Sequence, residues 1–313
     1  MFGLAWVGGL LENEAMNSPT FRPGLRLLPI LAASLLCALA PAAPAEVLAK
    51  PNDKVAFLGD SITAQGWANA AGYVKLVVAG LDANGIKVTP IPAGISGHKS
   101  NDMLARLEKD VLSKKPQWMT LSCGVNDVWH GPKGVPLNDA QAAGQEFVKR
   151  SPIEPDKGTY EKNISKIVEE AQHAGVQVLI LTATVIREDL GNEENKKLAP
   201  YNDFLRKFAK EKHLPLADLN VLFQDRIKEA KQPGKNVFTV DGVHMNTEGN
   251  KIMARGVLQA FGLDAAQIKK AEVAWVPMET QAAEEAKKAA DAKAKAAAEK
   301  AAAPKAATPV PAK

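Results

Sequence analysis

Four short clusters in this chain hold residues that could do chemistry. Gly59-Asp60-Ser61-Ile62-Thr63 sets a hydroxyl at the end of an apolar run, and Asp241-Gly242-Val243-His244 sets a carboxylate three residues ahead of an imidazole. A serine hydroxyl is a poor nucleophile at neutral pH and needs a base within hydrogen-bond reach. Imidazole titrates near neutrality, and a carboxylate on its other nitrogen fixes the tautomer and stabilises the imidazolium. Gly124-Val125-Asn126-Asp127 offers a side-chain amide that can donate to an oxyanion. Gly94-Ile95-Ser96-Gly97 offers glycines that let a backbone N–H approach a ligand closely. Each cluster alone has a plain reading: Ser61 as a helix cap, His244 and Asp241 as surface residues, the glycines as turns. Together they supply a nucleophile, a base with its orienting acid, and oxyanion donors, the parts that acyl transfer requires.

These residues need a scaffold that brings them together. From about Val47 to Phe261, short apolar runs alternate with helical stretches. Strands are expected at Lys54 to Leu58, Ile86 to Ile91, Trp118 to Ser122, Val176 to Thr182 and Leu216 to Leu219. Between them lie helical stretches through Tyr73 to Val78, Met103 to Leu112, Tyr160 to Ala174 and Tyr201 to Phe208, with a last core helix through Ile252 to Leu258. Ser100 or Asn101 can cap the second of these, and Thr247 the last. Alternating strands and helices imply right-handed crossovers and a parallel sheet covered on both faces. Ligands in such folds bind beyond the carboxyl ends of the strands, which is where three of the clusters fall.

The four clusters, taken in order, resemble the blocks of the SGNH hydrolases, also called GDSL-type esterases and lipases, over roughly residues 50–262. The resemblance implies that Ser61 is the nucleophile and that Asp241 and His244 complete a triad. It implies an oxyanion hole made by the N–H groups of Ser61 and Gly97 and the side chain of Asn126; Gly94 is the alternative to Gly97. It further implies a flavodoxin-like three-layer α/β/α sandwich with a five-stranded parallel sheet, and no cofactor. An α/β-hydrolase reading fits less well, because no Gly-x-Ser-x-Gly elbow surrounds Ser61.

Trp129 and His130, which closely follow Asn126, and Asp60, beside Ser61, are assigned to substrate binding. The excursion from Gly131 to Asp156, with four prolines, is expected to shape the substrate entrance. His98 is either a cleft residue or a solvated one, and Cys123 reads as a buried thiol. No metal-binding constellation and no phosphate-binding loop occurs.

The rest of the chain bounds the setting. Of the formal net charge of +4, an excess of three lies in residues 281–313, with seven Lys against four acids, so the body is close to neutral. That excludes the strong basic face of a nucleic-acid reader. Residues 1–45 read as a signal peptide, with Arg22 and Arg26 before an apolar stretch from Leu27 to Ala40 and a small-residue cleavage site at Ala43-Pro44-Ala45. The stretch is shorter than the ~20 residues that span a bilayer, so no stable membrane span is expected after cleavage and the protein is expected to be exported. Glu12 and Glu14 sit oddly for a signal, and Met16 is a plausible start. Leu36 before Cys37 argues against a lipid anchor. Residues 46–265 are then the hydrolase domain and 266–313 an Ala/Lys-rich low-complexity extension; from 281 on a flexible tail is the default, and a fraying exposed helix with an i,i+4 pair at Glu284 and Lys288 is the alternative.

The expected substrate is a small-molecule or polysaccharide ester, acetyl above all. Rival readings are a lipid or thioester acylhydrolase, an O-acetyltransferase using the same residues, and a non-catalytic glycan-binding module. Oligomeric state is not legible.

Overall fold

The computed structural model describes residues 46–144, 158–232 and 234–302. The expected signal peptide and the second half of the Gly131 to Asp156 excursion lie outside the described residues.

Five parallel strands form one sheet in the order β2-β1-β3-β4-β5. β1 (Lys54–Gly59) and β3 (Trp118–Ser122) are central and buried almost throughout, as continuous aliphatic runs covered on both faces must be. β4 (Gln177–Leu181) lies beside β3.

β2 (Thr89–Gly94) runs about three residues later than expected. Ile86 N–H instead donates to Leu81 O and closes the end of the preceding helix, so the strand cannot start there. Pro90 and Pro92 inside β2 are tolerated because an edge strand leaves one row of backbone positions without a partner. β5 shortens to Leu216–Ala217, because the Asp218 carboxylate caps the next helix by accepting from Val221 N–H.

The helices divide between the two faces. α1 (Ser61–Ala68) and α2 (Tyr73–Ala83) connect β1 to β2 and pack with α9 (Thr247–Ala260) and α10 (Ala265–Ala302). α3 (Ser100–Asp110), α6 (Tyr160–His173) and α7 (Glu193–Glu211) cover the other face, where Tyr160 and Tyr201 meet edge to face at 4.9 Å. The short α4 (Val125–Trp129) and α5 (Asp139–Gly144) follow β3, and α8 (Leu219–Ala230) follows β5 and packs on α9. This is the flavodoxin-like α/β/α sandwich that the resemblance implies. The chain steps from β1 out to β2 and then back across to β3, so the loops after β1 and β3 part and leave a crevice between them.

Two helix starts differ from expectation by one residue. Asn246, not Thr247, caps α9 by accepting from Gly249 N–H. Ser100 is the first residue of α3, not its cap, and its side chain turns to Asp127.

The expected boundary at 265 does not separate body from extension. Ile268, Ala271 and Trp275 of α10 are buried, and the Trp275 indole donates to Leu76 O at 2.8 Å. Their helical spacing carries a core-facing stripe past residue 275, with Met278 and Ala282 still against the body. After 281 the structure takes the exposed-helix alternative, with α10 continuing to Ala302. The docked first turns nucleate the helix, and an Ala-rich sequence then propagates it at little cost in propensity.

Trp275→Ala is expected to cost about 3–5 kcal/mol through the cavity and the lost hydrogen bond, lowering Tm by roughly 10 °C. Ending the chain after Ala282 is expected to leave Tm nearly unchanged, since residues 283–297 are exposed. Thermal melts of the two variants check both statements.

Candidate active site

The end of β1 delivers Ser61 as the first residue of α1, and its hydroxyl is all but buried. The Asp60 carboxylate accepts from Ile62 N–H at 2.9 Å and fixes the turn. Ser61 Oγ lies 2.8 Å from His244 Nε2, and His244 Nδ1 lies 2.6 Å from Asp241 Oδ2. The carboxylate's other oxygen accepts from Val243 N–H at 3.0 Å and His244 N–H at 2.8 Å. Partial burial works to raise the Asp241 pKa, but these N–H donors and the imidazole outweigh it, holding the carboxyl below its ordinary value. An ionised Asp241 thus faces the histidine ring.

Gly97 has φ +79°, and open space surrounds the place a Cβ would occupy. Its backbone requires the left-handed region, and among the described residues its N–H has no acceptor. Gly94 differs. A Cβ there would stand 2.3 Å from Ala64 N, so this glycine serves close packing of β2 on α1. Of the two, Gly97 is the one open to a ligand.

Asn126 sits in the first turn of α4, after Gly124, whose φ of +132° turns the chain sharply out of β3. Its Nδ2 donates to His98 O at 3.1 Å and makes a long 3.4 Å contact with Asp60 Oδ2. On the other side, Asn126 Oδ1 lies 3.2 Å from His130 Nε2. Desolvation, then the charges of Lys99 and Lys133, lower the His130 pKa and favour the neutral ring, whose Nε2–H tautomer donates to this oxygen. That bond fixes which way the amide points.

The three residues assigned to substrate binding part company. Trp129 is exposed and lies against the His130 ring at 6.3 Å between centroids. His130 combines an exposed position with the contact to Asn126. Asp60 is buried: its carboxylate caps α1 and faces Asn126 from inside. His98 is half-buried, and its Nδ1 accepts from Arg106 Nε at 3.0 Å.

Arg106 went unread in the sequence. Its guanidinium also donates to Gly59 O at 2.9 Å and to Asp110 at 3.0 Å, tying the end of β1 to the Gly97–His98 loop. A charged residue on the same helical face as Met103 and Leu107 was the available signal. Asp127 does similar work: Oδ1 accepts from Ser100 N–H at 3.0 Å and Ser100 Oγ at 2.7 Å, pinning the start of α3 behind Gly97. Cys123 is buried, its thiol 3.4 Å from Asp127 Oδ2, as expected of a structural thiol. Among the described residues no group of three or more metal-ligating side chains converges.

Burial pushes the carboxyls of Asp60 and Asp127 up from 3.8 to about 6 each, against the hydrogen bonds they accept. Between about pH 4 and 6 the folded chain therefore holds protons that the unfolded chain has released, and stability falls as pH rises through that window. Asp127→Asn removes one of these groups. Its Tm relative to the parent's is expected to rise from pH 4 to pH 6, and a Tm difference independent of pH would contradict this.

Comparison with known proteins places this geometry. An acetylxylan esterase from Geobacillus stearothermophilus is 28% identical over 229 residues, covering 68% of this chain and 95% of that one. The crystal structure of Axe2, an acetylxylan esterase from the same organism, aligns with a TM-score of 0.56 at 24% identity, over 70% of this chain and 98% of that one. The acetyl xylan esterase AlAXEase aligns with a TM-score of 0.54 at 31% identity, over 66% of this chain and 98% of that one. Residues 57–252 match the GDSL-like lipase/acylhydrolase family, a stretch that runs from β1 into α9 and takes in Ser61, Gly97, Asn126, Asp241 and His244. The chain belongs to that family and is a carboxylic ester hydrolase.

Proposed function

We propose that this protein removes acetyl groups from acetylated carbohydrate, xylan-type polysaccharide or its fragments foremost, by a serine acyl-enzyme mechanism. The observation that carries the mechanism is the unbroken chain from Ser61 Oγ through the His244 ring to Asp241, at 2.8 and 2.6 Å. What supports the substrate is the similarity to acetylxylan esterases together with Trp129, an exposed indole three residues from Asn126 that can stack on a sugar face.

On this reading Ser61 Oγ attacks the acetyl carbonyl carbon while its proton passes to His244 Nε2. Asp241 accepts from Nδ1–H and stabilises the imidazolium that forms. The oxyanion lies among the N–H groups of Ser61 and Gly97 and Asn126 Nδ2. The long contact of Asn126 with Asp60 leaves one amide hydrogen free to be given up to that oxygen. The imidazolium then protonates the departing sugar oxygen, and the alcohol leaves. Water attacks the acetyl-enzyme with His244 again as base, releasing acetate and restoring Ser61. Donors held in place beforehand need little reorganisation as the charge develops. The signal-like residues 1–45 add an exported location to the proposal.

Ser61→Ala is expected to lower turnover of an aryl acetate by at least about 10³-fold while the fold is retained. Equal rates in parent and variant would remove Ser61 from the mechanism. Acyl preference is a separate matter. Across aryl esters of rising acyl length, kcat/KM is expected to collapse beyond short chains, and purified enzyme should release acetate from acetylated xylan. Rates that hold or climb with chain length would favour the lipid acylhydrolase.

A further inference from the structure

The segment that bears Asp241 and His244 lies outside the sheet. It folds back on itself through Val240 N–H to His244 O at 2.8 Å, Asn246 N–H to Phe238 O at 3.1 Å and an isolated bridge between Thr239 and Met245. Its tip is open to solvent, with Val240 65% exposed. Phe238, Val243 and Met245 anchor it in the core, but apolar contacts have no direction, so the exact position of the backbone between them rests on its hydrogen bonds.

One buried carboxylate grips it. Glu188, in the loop after β4, is 3% exposed. Its Oε1 accepts from Phe238 N–H at 2.8 Å, Thr239 N–H at 2.8 Å and Thr239 Oγ1–H at 2.7 Å, and its Oε2 accepts from Val237 N–H at 2.8 Å. Thr239 Oγ1 in turn accepts from Gly242 N–H at 3.1 Å, and Arg187 N–H donates to Gly242 O. Gly242 is the residue directly after Asp241. Among the described residues no cation pairs with Glu188. Every bond it makes goes to the three residues Val237 to Thr239, so the cost of burying this charge is met by holding that segment in one place.

We propose that Glu188 is a positioning residue for catalysis: through Thr239 it fixes the backbone that carries Asp241 and His244, and so sets the 2.8 Å approach of His244 to Ser61. The inference rests on the serine mechanism proposed above. Glu188 touches none of the reacting groups; it acts through Thr239 and Gly242. A misplacement of about 1 Å in a catalytic group can cost on the order of 10² in rate, so a loosened grip should appear in kcat before it appears in binding.

The test uses Glu188→Gln, Thr239→Val and Thr239→Ser in the full chain, with Ser61→Ala as reference. Glu188→Gln turns an N–H2 toward one of the loop's N–H donors. Thr239→Val keeps the shape and removes the hydroxyl's bonds to Glu188 Oε1 and to Gly242 N–H, leaving the Thr239 N–H bond to Glu188 in place. Both are expected to lower kcat for an aryl acetate by roughly tenfold to 100-fold with KM within about twofold. Both should weaken or abolish the far-downfield proton resonance of the His244–Asp241 hydrogen bond at temperatures where circular dichroism shows the fold intact. Thr239→Ser, which retains the hydroxyl, should restore kcat and the resonance. Parent-like kcat and resonance in folded Thr239→Val would overturn the proposal. So would failure of both Glu188→Gln and Thr239→Val to fold, since the network would then hold the whole domain. If Ser61→Ala turns over like the parent, the serine mechanism itself fails, a result distinct from either of these.

Discussion

The His244 ring spans the two ends of the domain. One nitrogen meets Ser61 and the other meets Asp241, so a single planar group links its neighbour Asp241 to a hydroxyl that lies 183 positions from His244 in the chain. That constraint orders much of the molecule. β1 must stop where Ser61 can begin α1, and the segment after α8 must return over the same rim of the sheet before α9 begins. The strand order meets this demand, because the β1 and β3 loops part at the crevice while α8 and α9 bring the chain back across the face that α1 occupies.

The polar groups behind the crevice form a second layer with a common logic. Asp60, Asp127, Arg106 and Glu188 are all buried, and each spends its hydrogen bonds on backbone or side chains that bear the site. Buried charge is unfavourable unless satisfied, so each group holds its partners in one arrangement. Desolvation is what raises the carboxyls of Asp60 and Asp127 in that placement. Around Gly97 and Asn126 the outcome is rigidity: Asp127 holds the start of α3 through Ser100, Arg106 holds His98, and His98 O in turn accepts from Asn126. On the proposed mechanism, such rigidity keeps donors aimed in advance at the developing negative charge.

α10 has a different character. Its first turns are core, locked by Trp275 on α2, and its remainder extends as an exposed helix. A change in composition along the chain therefore does not coincide with the change in packing. The low-complexity sequence begins while the helical stripe of Ile268, Ala271 and Trp275 is still continued by Met278 and Ala282.

Periodicity and short motifs determined the sheet, its five strands and the residues of the site. An aliphatic run between turn residues has few alternatives to a buried strand, and the candidate nucleophile, base and acid stand out only when their clusters are read together. Edges and partners were decided only in three dimensions. β2 moved because Ile86 is used by α2, β5 was cut short because Asp218 caps α8, and Asp60 turned inward because its carboxylate was needed at Ile62. Arg106 shows only as a charge on an apolar helical face and Glu188 not at all, since Gly59 and the Val237 to Thr239 segment that they hold lie some fifty positions away in the chain. Sequence patterns report which face a residue must bury, whereas hydrogen bonds between distant segments depend on where the fold brings those faces together.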